Sequence, residues 1–107
     1  MEVNIEHKER YDVIMISDNV DIYNVAGLRN IILNTIDGHN KVLALDLRYV
    51  YYMDSSGIGA LVAGQKKMKA HNGKFGLMNI HDDVLNILKL ATLDKFFTIY
   101  SSEDKLI

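Results

Sequence analysis

An α/β layer fold on a largely parallel sheet is predicted by three features of the chain. Apolar runs such as Val13-Ile14-Met15-Ile16 and Val42-Leu43-Ala44-Leu45-Asp46-Leu47 are too dense for strands with one wet face. Stretches with helical spacing separate such runs, so successive strands are joined by crossovers. The 107 residues contain no proline, repeat or low-complexity tract, which predicts one domain spanning 1–107.

Residues 3–7 alternate apolar with polar and read as a first strand. Glu9-Arg10-Tyr11-Asp12 is short enough for a hairpin into a second strand at 13–16, which Asp18-Asn19 ends with turn-tolerant residues. Asn24 is a candidate cap for a helix carrying Leu28, Ile31, Ile32, Thr35 and Ile36, and Gly38 closes it. A buried strand follows at 42–47. In Tyr49-Val50-Tyr51-Tyr52-Met53, strand alternation would point Val50 and Tyr52 one way and Tyr49 and Tyr51 the other. A second helix opens at Gly57, with Ile58, Leu61, Val62 and Met68 as its apolar stripe and Asn72-Gly73 as its stop. Residues 75–80 form another strand. Asp82 or Asp83 caps a third helix with Val84, Ile87, Leu88 and Ala91 inward, Phe96-Phe97-Thr98-Ile99-Tyr100 is a last strand, and Ser101-Ser102-Glu103-Asp104 opens a short final helix.

Composition narrows the function. With 12 Lys+Arg against 14 Asp+Glu there is no basic stripe for a phosphate backbone, so direct nucleic-acid binding is not expected. The absence of cysteine removes disulfides, thiol catalysis and Cys-based metal sites. No apolar run approaches the roughly 20 residues of a membrane span, and the acidic start is unlike a secretory signal. A soluble cytoplasmic domain with no membrane contact, metal or cofactor is expected.

The segment that invites chemistry is Asp54-Ser55-Ser56-Gly57-Ile58-Gly59. A serine where a strand passes into a helix is most simply a cap for unpaired first-turn amides. Two glycines there are costly, at roughly 1 kcal/mol each relative to alanine, and they bare the backbone around the hydroxyl to a large partner. A phosphate on such a serine would add roughly −1.5 to −2 charges beside helix-terminal amides, which favour anions. It would therefore repel a docked partner rather than unfold the domain, more so if Asp21 and Asp54 lie close by. Hydrolase chemistry fits poorly: Asp54 and Ile58 stand where a nucleophile elbow needs glycine, and His7, His39, His71 and His81 read as solvated polar residues. Gln65 follows Gly64 where a Walker loop needs lysine, and Val62 replaces the third glycine of a dinucleotide fingerprint. Lys66, Lys67 and Lys69 read as a solvent face.

Asp54-Ser55-Ser56-Gly57-Ile58-Gly59-Ala60-Leu61 resembles the phosphorylation motif of the STAS domain, in the branch of bacterial anti-sigma-factor antagonists. Residues 42–47 with Val50 and Met53, Val20-Asp21-Ile22-Tyr23, and Leu90-Ala91-Thr92-Leu93-Asp94-Lys95-Phe96-Phe97 are similar to three further family segments, in order. The resemblance implies a STAS fold: a mostly parallel mixed sheet of about four or five strands with three or four helices packed on it. It also implies a non-enzymatic partner switch. The unphosphorylated form would bind an anti-sigma factor with serine kinase activity and free the sigma factor. That kinase would use ATP to phosphorylate Ser56, and a PP2C-type phosphatase would restore the binding form. Asp21, Asp54, Ser55, Gly57, Ile58, Gly59 and Leu61 would form the docking surface. An alternative is a STAS adaptor in another phosphorelay or signalling complex. Asp18 departs from the family, which usually has glycine there; aspartate adopts φ > 0 only at some cost.

Overall fold

The computed structural model describes residues 1–38 and 40–106. Five strands lie side by side in chain order: β1 (Val3–His7), β2 (Asp12–Ile16), β3 (Val42–Asp46), β4 (Lys74–Met78) and β5 (Thr98–Tyr100). β1 and β2 form the expected antiparallel hairpin, with Ile5 opposite Ile14, and every other pairing is parallel. Between the parallel strands run α1 (Val25–Ile36), α2 (Ser55–Ala70) and α3 (Asp82–Leu90). A strand order equal to the chain order means each crossover steps in the same direction. Right-handed crossovers then place all three helices on one face.

The core shows this one-sidedness. Ile14 and Ile16, Leu43 and Leu45, and Phe75 and Leu77 bury one sheet face against Leu28, Ile32 and Ile36 of α1, Leu61 and Met68 of α2, and Val84 and Leu88 of α3. Val13, Ala44 and Met78 face the other way and are covered by Leu106 of a terminal 3-10 turn, η1 (Glu103–Leu106), with Tyr11 and Tyr100 alongside. The dense runs are thus strands buried on both faces, as their composition requires. At Gly76 even a methyl group would meet the Tyr100 ring, at 2.0 Å from Cε2.

Several local expectations are corrected. Residues 49–52 form no strand, so alternation does not apply: Tyr49, Tyr51 and Tyr52 are all exposed while Val50 and Met53 are buried. The last strand is Thr98–Tyr100 only. Helix α2 does end before Asn72-Gly73 as expected, with His71 as its cap, but the left-handed turn falls on Asn72, at φ 60°, a geometry asparagine tolerates. Asp82 and Asp83 occupy the first turn of α3 rather than its cap, which is His81. Asn24 does stand at the cap of α1, but its Oδ1 accepts the Asp21 amide outside the helix, at 2.9 Å. Asp18 is not among the residues with positive φ, so the anticipated strain does not arise.

Candidate functional site

Two loops at the carboxyl ends of β2 and β3 are zipped together to present the serine motif. The Val20 amide donates to the Tyr52 carbonyl and the Asp54 amide to the Val20 carbonyl, each at 3.1 Å, forming a parallel bridge between Val20 and Met53. Asn19 reinforces this joint. Its Oδ1 accepts the amides of Tyr51 and Tyr52, at 2.9 and 3.1 Å. The approach from β3 is stiffened by Asp46, a buried carboxylate that accepts from the Arg48 and Asn79 side chains.

The first turn of α2 sits directly on that bridge. A Cβ at Gly57 would lie 2.7 Å from Met53 Cγ and 2.9 Å from Val20 Cγ1, so this glycine is required for close packing. Gly59 is different, being exposed with open space where a Cβ would go. The two glycines expected to bare the hydroxyl therefore serve separate ends, and only Gly59 leaves the outer surface bare.

The helix cap is Asp54, and the serines belong to the first turn. Asp54 Oδ1 accepts the amides of Ser56 and Gly57 at 2.9 and 3.1 Å. The Ser56 hydroxyl donates to the same oxygen at 2.5 Å. Asp54 Oδ2 accepts the Ile22 amide at 3.1 Å. The Ser56 hydroxyl, above all, holds the Asp54 carboxyl below its ordinary range; partial burial works against this and the three amides add to it. Asp21 is brought into the same neighbourhood, its Oδ1 accepting the Tyr23 amide at 2.9 Å.

Ser55 and Gly59 are exposed, while Ser56, Asp54 and Asp21 are half-buried. Gly57 and Leu61 do not fit the expected docking surface, because Gly57 is buried and Leu61 is 0% exposed in the core. Ile58 is almost covered and forms part of the floor of a groove of about 520 Å³ between α2 and α3, edged by Tyr52, Ser55, Ile87 and Leu90. Leu90 is 87% exposed, and Tyr23 across the motif is 94% exposed. Both lie in segments that resemble the family, but neither was expected on the docking surface. The signal for Leu90 lies in α3, where it falls outside the inward stripe of Val84, Ile87 and Leu88.

The histidines are engaged elsewhere. His7 Nδ1 lies 2.8 Å from Asp12 Oδ1. His81 bonds the Arg48 carbonyl through Nε2 and stacks on Tyr51, ring centroids 4.3 Å apart. His71 ends α2, far along the helix from Ser56, and His39 lies outside the described residues. Among the described residues the hydrogen-bond partner of the Ser56 hydroxyl is thus a carboxylate and not an imidazole. Lys67 also departs from a plain solvent face, since its Nζ binds the Leu33 carbonyl and Asp37. Among the described residues no helix is long and apolar enough to cross a membrane, and no cluster of His, Asp or Glu could hold a metal.

A family model for the STAS domain matches residues 2–106. An anti-sigma-B factor antagonist from Listeria monocytogenes is 25% identical over 109 residues, covering 99% of this chain and 96% of that protein. Among solved structures, an anti-sigma factor antagonist from Mycobacterium paratuberculosis superposes with a TM-score of 0.86 at 24% identity, over 98% of this chain and 89% of the other. The phosphorylated form of the Bacillus cell fate determinant SpoIIAA superposes with a TM-score of 0.74 at 20% identity, over 97% and 96%.

Proposed function

The chain belongs to the STAS domain family, and within it we propose that this protein is a cytoplasmic anti-sigma-factor antagonist switched by phosphorylation of Ser56. The unphosphorylated form binds an anti-sigma factor with serine kinase activity and releases the sigma factor. The kinase transfers phosphate from ATP to Ser56, the complex separates, and a PP2C-type phosphatase resets the cycle. The protein is ligand and substrate in this cycle, and not a catalyst.

The observation that carries the reading is the position of Ser56: a hydroxyl in the first turn of α2 bonded to Asp54, which with Ser55 and exposed Tyr52 and Leu90 lines an adjoining apolar groove. A partner covering Leu90 and Tyr52 would bring its surface over the motif. A phosphate there would then have to be buried without a counter-charge, which is expensive, whereas in the free protein it stays in water. Asp54, Ser55 and Ile58 line this groove, and the docking surface extends from it to Asp21 and Gly59.

The test is titration against the anti-sigma factors of the source genome, with intact-mass and phosphosite mapping after addition of ATP. Ser56→Asp is expected to lose binding with little change in melting temperature. Ser56→Ala is expected to bind and to resist release by ATP. Undiminished phosphate incorporation into Ser56→Ala would refute the site. Capture of a partner other than an anti-sigma factor, dependent on the same serine, would favour an adaptor in another phosphorelay.

A further inference from the structure

We infer that Asp54 selects Ser56 over Ser55 as the phosphoryl acceptor, by holding the Ser56 hydroxyl in one orientation and receiving its proton. The inference rests on the switch reading above and addresses what decides between two adjacent serines. By access alone Ser55 is the better acceptor, since it is exposed and Ser56 is half-buried. The difference lies in how each hydroxyl is held.

A free serine side chain samples three staggered wells. The 2.5 Å contact with Asp54 Oδ1 confines Ser56 to one, engages its hydrogen, and leaves the oxygen lone pairs for attack. The orienting carboxylate is itself immobilised. It takes amides from Ser56, Gly57 and Ile22, its own amide is bonded to Val20, and Gly57 approaches Met53 and Val20 so closely that a Cβ there would clash with both. Pre-setting a reacting atom is a large part of what lowers a bimolecular barrier. Phosphoryl transfer asks for placement more than for a strong base, because its transition state is loose.

In the step itself, Ser56 Oγ attacks the γ-phosphorus of kinase-bound ATP. The new O–P bond forms as the bond from that phosphorus to the bridging oxygen breaks, and ADP leaves with the electron pair. The hydroxyl proton passes to Asp54 Oδ1 and from there to solvent.

The experiment compares wild type, Asp54→Asn, Asp54→Ser and Ser56→Ala, each incubated with ATP and the purified anti-sigma factor kinases of the source genome. Phosphate on residues 55 and 56 is quantified over time by fragmentation mass spectrometry. Asparagine and serine are both good helix caps, so a folded variant is expected and either one suffices. The expected result is a fall in kcat at Ser56 of about 10-fold or more, larger than any change in KM, and a larger share of phosphate on Ser55. Ser56→Ala, which leaves Ser55 beside an intact Asp54, is expected to accept phosphate at about a tenth of the wild-type rate or less by the same reasoning. If wild type is phosphorylated on Ser56 and the Asp54 variants keep its rate and site ratio, the inference fails and the switch reading survives. Efficient transfer to Ser55 in Ser56→Ala also overturns it. If no kinase phosphorylates wild type, both fall.

Discussion

The carboxylate of Asp54 accepts the amide of Ile22 at 3.1 Å, joining residues 32 positions apart in the chain. The other oxygen of that carboxylate caps α2 and holds the Ser56 hydroxyl. One side chain therefore ties the exposed Ile22–Tyr23 segment to the serine motif, and consequences for binding, stability and the phosphorylated state follow from it.

Phosphorylation of Ser56 is expected to loosen that tie. The modified oxygen has no hydrogen to donate, and its dianion competes with Asp54 for the amides of Ser56 and Gly57. With the carboxylate displaced, the Ile22 amide loses its acceptor. Amide spectra of the two forms should show Ile22 and Tyr23 shifting and exchanging faster with solvent. Unaltered Ile22 exchange would mean that the phosphate turns outward instead.

The acid side of the stability profile should carry the signature of Asp54. Its folded pKa lies below the ordinary value of 3.8. The capping contribution is accordingly complete above that value and is lost as pH falls through the lower folded value. Wild type and Asp54→Asn are expected to differ most in melting temperature near neutrality and to converge in strong acid. A difference that persists undiminished at low pH would assign the stabilisation to something other than the ionised carboxylate.

The two glycines of the motif should respond in opposite ways. Gly57→Ala drives a methyl group into Met53 and Val20 and is expected to cost about 1–3 kcal/mol, as overpacking usually does. Gly59→Ala meets open space and is expected to stabilise the helix by up to about 1 kcal/mol. Denaturant titration of both variants measures this contrast. Because Gly59 lies on the outer face, its variant should also bind the partner more weakly despite its greater stability.

Leu90 offers a test of the groove that leaves the serines untouched. Its side chain is 87% exposed, so Leu90→Ser is expected to change stability by no more than about 0.5 kcal/mol. An apolar anchor of a partner interface typically costs about 1 kcal/mol or more when truncated, so affinity for the anti-sigma factor should drop about fivefold or further. Equal affinity would place the interface elsewhere.

Much of the architecture could be read from local pattern. Runs such as those at 13–16 and 42–47 carry period and density that only doubly covered strands satisfy, and the stripes of Leu28, Ile32 and Ile36 and of Val84 and Leu88 mark the inward faces of α1 and α3. The serine motif was found the same way, from a polar-to-glycine junction between a strand and a helix. Tyr52 was misplaced because alternation holds only inside a ladder, and the amides of Tyr51 and Tyr52 are instead held by the side chain of a distant Asn19.

What the tertiary structure decided is which atom of Asp54-Ser55-Ser56-Gly57 does what. Aspartate and serine are comparable caps, so composition cannot choose between them. The choice falls to Asp54 because the Val20–Met53 bridge sets where the chain enters α2 and brings the Ile22 amide within its reach. The same bridge makes Gly57 a packing requirement, and the core of which it forms part buries Leu61 away from any partner. These relations cross some 30 residues of chain, and hydrophobic periodicity records only which face a residue turns, not which distant atom it meets.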